Sequence, residues 1–158
     1  MVMIMYEELL TEADGQNLIV REKDIPGYGG RIYGNRIAIR KDIETETEKA
    51  CVLAEELGHH YTTTGDIMDQ TDAASRKQEL QARVWAYNRL IGLQGLISAH
   101  RHGCRSRYEA AEFLEVTEDF LEEAYQYYRS KYGIMYQVDN FVVYFEPCFG
   151  IFEAITPA

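Results

Sequence analysis

Residues 50–61 read Ala50-Cys51-Val52-Leu53-Ala54-Glu55-Glu56-Leu57-Gly58-His59-His60-Tyr61. Ala50, Cys51, Leu53, Ala54 and Leu57 recur at the three- and four-residue spacing of a buried helical stripe. An α-helix returns to nearly the same face after four residues, because one turn takes about 3.6 residues. Glu55 and His59 therefore project side by side, with Glu56 next to them in sequence. This is the layout of the H-E-x-x-H motif, in which two metal ligands share a helical face and the glutamate activates water. Glu55 stands where that motif has its first histidine. Upstream, Thr45-Glu46-Thr47-Glu48 forms a capping box that starts the helix. Gly58 inside the helix costs about 1 kcal/mol relative to Ala, which implies that another element approaches closely there.

A catalytic zinc takes three protein ligands and keeps an open position for water. The metal lowers that water's pKa, and a nearby carboxylate accepts the proton as the water attacks a carbonyl. Only one frame within residues 55–59 puts a glutamate directly after the first ligand position and a histidine at the end. It assigns Glu55 and His59 as ligands and Glu56 as general base. The frame shifted by one ends at His60 and has no base. A third ligand must come from elsewhere, and Glu79, on the next long helical pattern, is the candidate. Ala82 and Ala86 on that helix are small and four apart, so their face could pack against Gly58 and carry Glu79 towards His59. A Glu-His-Glu set has one more negative charge than the usual two-His, one-Glu set, so Zn²⁺ is expected with Mn²⁺ also admitted. The same spacing suits an ordinary i,i+4 charge pair on a solvated face. Spacing alone leaves both readings open.

Around this helix the chain alternates short elements. Residues 4–13 pattern as an amphipathic helix with Ile4, Leu9 and Leu10 as its apolar contacts, and residues 18–22 are β-like. Residues 31–33 and 36–40 make a hairpin across Gly34-Asn35, a good tight-turn pair. The second strand, Arg36-Ile37-Ala38-Ile39-Arg40, is a candidate edge for a substrate peptide added as a strand, or an ordinary core hairpin strand. Residues 73–91 give the longest helical pattern, with Leu80, Val84, Tyr87, Leu90 and Ile91 apolar. Gly92 and Gly95 interrupt it, and a short continuation over 96–100 ends at Gly103. Two further helices, 107–114 and 118–132, flank Glu115-Val116-Thr117, with Gly133 as C-cap. The tail reads as two strands, 141–145 and 150–155, broken at Pro147.

Composition bounds the function. The 158 residues carry a formal net charge of −10, which disfavours nucleic acid, since that binding displaces phosphate counterions with Lys and Arg. The helix pair at 107–132 has helix-turn-helix character, but its second helix opens on Glu118 and Asp119, which would meet phosphates repulsively. Direct nucleic-acid binding is not expected. Cys51, Cys104 and Cys148 are sparse and unmatched, as reduced thiols are in the cytosol. The N-terminal residues lack the basic region of a signal peptide and no apolar run would span a bilayer. A cytoplasmic protein without a membrane partner is expected. His60 points about 100° away from His59 and suits either packing or support of a ligand from behind. His100 and His102 close a helix, and Asp66 suits a turn.

The sequence resembles the ImmA/IrrE family of metallo-endopeptidases of phages and mobile elements. The resemblance rests on Ala54-Glu55-Glu56-Leu57-Gly58-His59, on residues 61–66, and on Glu79-Leu80-Gln81-Ala82-Arg83-Val84-Trp85-Ala86. It takes in the hairpin before the motif helix and continues more weakly through residues 110–116 and Tyr132-Gly133, covering roughly residues 30–145. It implies an α+β, zincin-like minimal metallopeptidase: a small sheet packed on metal-binding helices, with a C-terminal helical pair. The organisation expected is a core over 1–103 and a helix-turn-helix-like pair with terminal strands over 104–158, together one compact domain. The resemblance implies cleavage of a helix-turn-helix repressor, hence an anti-repressor. It makes His59 a metal ligand, Glu56 the general base, Glu79 the third ligand and Glu55, by position, the first. The alternative is a non-catalytic protein on the same scaffold that sequesters the repressor, with a DNA-binding regulator ranked last.

Overall fold

A computed structural model describes residues 2–63 and 72–154. The elements in chain order are α1 (Met5–Gly15), β1 (Ile19–Lys23), β2 (Gly30–Tyr33), β3 (Arg36–Arg40), α2 (Glu46–Thr62), α3 (Asp72–Leu90), α4 (Gly92–His102), α5 (Arg107–Leu114), α6 (Glu118–Tyr132), β4 (Met135–Val138), β5 (Phe141–Tyr144) and β6 (Gly150–Glu153). The class is α+β, as the family resemblance implies.

The first sheet has the order β1-β3-β2. β2 and β3 form the expected antiparallel hairpin, and β1 lies parallel to β3 on its other side. Gly34 adopts φ 59°, the positive φ required at the first position of a tight two-residue hairpin loop. β3 turns Ile37 and Ile39 into the core, where both are buried. Its position corrects the expectation that residues 36–40 offer a free edge. Both of its edges are paired, and the exposed strands are β1 and β2. The reason is invisible locally: the parallel partner β1 is brought in from beyond the hairpin by α1.

α2 starts at the expected N-cap, with Thr45 Oγ1 accepting from the Glu48 amide at 3.1 Å. It packs on β2 and β3 and, most extensively, on α3. Gly58 sets that last contact. A Cβ built on it would lie 2.2 Å from the carbonyl oxygen of Ala82, so α2 and α3 meet backbone to backbone. Ala82 and Ala86 are fully buried. Leu80, grouped with the apolar positions of α3, is instead exposed. Likewise Ile4 is exposed at the start of α1, where Tyr6, Leu9 and Ala13 make the buried face. The end of the α2 stretch at residues 64–66, including Asp66, lies outside the described residues, as does Ile155.

Gly92 takes φ 62° at the α3–α4 junction, whereas Gly95 sits inside α4 against Leu114 and does not interrupt it. α5 and α6 are capped by Ser106 and Thr117, and Glu115 between them adopts the left-handed φ of 57°. Its carboxylate accepts from the Met5 amide at 3.2 Å, tying this turn to α1. β4 was not expected. Residues 134–136 are exposed apolar or aromatic side chains without two-residue alternation, so only pairing with β5 marks them as a strand. The second sheet, β4-β5-β6, is antiparallel and buries Phe141, Val143 and Ile151. Among the described residues no helix is long and apolar enough to cross a membrane.

Candidate functional site

A cleft of about 1120 Å³ opens between the α2–α3 pair and β2. Glu55, Glu56, His59 and His60 reach it from α2, Gln78, Glu79 and Arg83 from α3, and Tyr28, Gly30, Arg31 and Tyr33 from the β2 side. The i,i+4 geometry puts Glu55 and His59 on this wall as the spacing implied. Because Gly58 lets α3 approach so closely, Glu79 comes within 3.2 Å of His59, Oε2 to Nε2. The other Glu79 oxygen, Oε1, is 3.4 Å from Nε of Arg83 one turn further along α3.

Glu56 is 8% exposed and is the one buried charged side chain among the described residues. Burial pushes its carboxyl up to about 7, and the charges of Glu55 and Glu79 add to this while Arg31 opposes it. Glu55 is likewise pushed up to about 7, first by burial and then by Glu79 and Glu123, with Arg83 opposing. The leading cause in both cases is burial in a partly dry cleft, and the neighbouring carboxylates add to it, since each ionisation raises the cost of the next. Displaced carboxyl pKa values in a cleft are a recurrent mark of functional sites.

The structure thus brings Glu55, Glu56, His59 and Glu79 to one cleft and puts His59 and Glu79 in direct contact. Among the described residues no three His, Cys, Asp or Glu side chains close around a single point; Glu55 shares the wall without joining the His59–Glu79 pair. In donor type the set fits a divalent cation: two carboxylates and one imidazole, with a further carboxyl beside them. His60 borders the cleft with its ring edge-on to Tyr61, which stacks on Trp85 at 4.8 Å between ring centroids. His102 stacks on Phe113, and His100 borders a separate cavity.

Residues 3–126 match the family model Peptidase_M78, the IrrE N-terminal-like domain. The chain belongs to this family. The match spans α1 through most of α6 and includes the whole cleft, so the IrrE N-terminal-like domain supplies both walls of the site. β4, β5 and β6 lie beyond the matched residues. Neither a search of the curated proteins nor one of the solved structures gives a match.

Three features of the cleft escaped the sequence reading. Gly29-Gly30 is where β2 lies against α2: a Cβ on Gly30 would sit 2.7 Å from Val52 Cγ1 and 3.0 Å from Glu56 Oε1. A glycine pair leading into a strand signals such close approach. Arg31, whose guanidinium lies over the Tyr28 ring at 5.5 Å, is the second. Arg83 is the third, and its i,i+4 relation to Glu79 was the available signal.

Proposed function

We propose that this cleft is the active site of a metal-dependent endopeptidase that cleaves a helix-turn-helix repressor of a phage or mobile element. Membership of a peptidase family supports the reaction class. The observation that carries the site assignment is the His59–Glu79 contact of 3.2 Å across the Gly58–Ala82 junction, beside the buried Glu56. Glu55, His59 and Glu79 would hold Zn²⁺, or Mn²⁺ given the oxygen-rich set. When bound, the ion supplies Lewis acidity and a water of lowered pKa.

Glu56 is the base. It directly follows the first ligand position of the motif, and its burial keeps bulk water from competing. Substrate orientation falls to β2. The Arg40 amide donates to the Gly29 carbonyl at 2.8 Å, which puts residue 29 in a hydrogen-bonded pair with β3. By antiparallel alternation residues 31 and 33 also face β3, and the backbone groups of Gly30 and Ile32 face outward along the cleft. An extended peptide pairing there lies alongside Glu56, and this edge takes over the role expected of residues 36–40. The net charge of −10 favours a basic partner and an association that weakens as salt rises.

The test is incubation of the zinc-loaded protein with the repressor encoded nearest to its gene, read by mass spectrometry. Cleavage by wild type and none by Glu56→Gln, with unchanged metal content, is expected. Intact repressor with metal-loaded wild type refutes the reading, and equal relief of repression by Glu56→Gln points to sequestration.

A further inference from the structure

Arg83 faces carboxylates from three helices. Its Nε is 3.4 Å from Oε1 of Glu79 on its own helix. Its charge also acts on Glu55 of α2 and Glu123 of α6. An i,i+4 pair on one solvated helix is commonplace and weak. A guanidinium in contact with one proposed metal ligand, Glu79, and within electrostatic reach of another, Glu55, on a different helix opposes the charge a dication would bring. Glu79 is shared: one oxygen contacts His59 and the other Arg83. Arg83 therefore balances the crowded carboxylates while the cleft holds no ion, and repels a dication that would use the same groups.

We infer that Arg83 is a positioning residue that competes with the metal for Glu79 and thereby sets how tightly the cleft binds it. This rests on the proposed metal-site reading. Replacing the first histidine of the motif by Glu55 adds a negative charge that would tighten binding of any dication, and Arg83 offsets it. The residue thus weakens metal affinity in exchange for an ordered metal-free cleft. A unit positive charge within one side-chain length of a dication, even at water-like dielectric, changes affinity on the order of tenfold.

The experiment titrates Zn²⁺ against a chelating dye in wild type, Arg83→Gln, Arg83→Lys and Glu79→Gln. It adds melting of the metal-free proteins, including the Arg83→Gln/Glu79→Gln double variant. Arg83→Gln should bind Zn²⁺ about tenfold more tightly, while Arg83→Lys, which keeps the charge, should stay within about threefold of wild type. The metal-free melting temperatures should show favourable coupling between positions 79 and 83. Equal or weaker Zn²⁺ binding by Arg83→Gln overturns the competition alone, as does absent coupling. Coupling with no Zn²⁺ bound by any variant overturns the metal-site reading and the competition with it.

Discussion

Replacing Gly58 by alanine sets two physical effects directly against each other. Helix propensity favours alanine by about 1 kcal/mol in a helix interior. Packing opposes it: the new Cβ would lie 2.2 Å from the Ala82 carbonyl oxygen, 2.9 Å from its carbon and 3.0 Å from its Cα. These are backbone atoms of a packed helix, so no rotamer change relieves the overlap, and α2 and α3 must separate by roughly 1 Å to restore ordinary contact. Overpacking of this kind costs about 1–3 kcal/mol and sometimes more; against rigid backbone the upper end applies. The net expectation is a loss of about 2 kcal/mol, or roughly 4–8 °C in Tm for a chain of this size. Urea unfolding of the metal-free protein, with m unchanged, measures it. Because the same separation pulls Glu79 from His59, Zn²⁺ affinity should fall in parallel. A Gly58→Ala protein as stable as wild type, or more stable, refutes the argument, since propensity would then have won.

Three further expectations follow from the same geometry. Gly30→Ala meets the side chains of Val52, which is stiff in a helix, and Glu56, and not backbone, so stability should fall by about 1–2 kcal/mol while peptide cleavage falls as Glu56 is displaced, read by melting and by single-turnover assay. Tyr128→Phe should cost about 1–3 kcal/mol, measured by urea unfolding, because the buried hydroxyl donates to Asn88 Oδ1 at 3.0 Å and accepts from the Gly92 amide at 3.1 Å. Burial pushes the Cys51 thiol up to about 11, whereas Cys148 is exposed. A thiol reagent at pH 8 should label Cys148 in the native protein and spare Cys51 until it unfolds. The raised pKa means Cys51 stabilises the fold fully below about 9, and that contribution is lost as pH rises through about 11. Alkaline melting should steepen over that window and become shallower, though not flat, in Cys51→Ala, because burial also raises Tyr6 and Tyr87.

Much of this was local information. The Thr45 cap, the buried stripe of α2 and the i,i+4 relation of Glu55 to His59 depend only on helical period and side-chain chemistry, so sequence sufficed for them. Gly58 with Ala82 and Ala86 went further. Small residues on two helices foretold a close crossing, and that crossing is what carries Glu79 to His59. Leu80 and Ile4 were misjudged because an apolar residue at a plausible period is buried only if neighbours cover it fully, and both stay more than a third exposed.

What only the tertiary structure decided are relations between elements remote in the chain. β1 pairs with β3 in parallel, which leaves β2 as the edge beside the cleft. Gly30 brings that edge against Glu56, and burial from both walls raises two neighbouring carboxyls together. Arg83 contacts Glu79 of α3 and feels the charges of Glu55 on α2 and Glu123 on α6. Residue types and spacing determined which groups could do chemistry. Strand order, helix separation and the low dielectric between packed walls, none of which has a local signature, decided which of them share a cleft and in what state of charge.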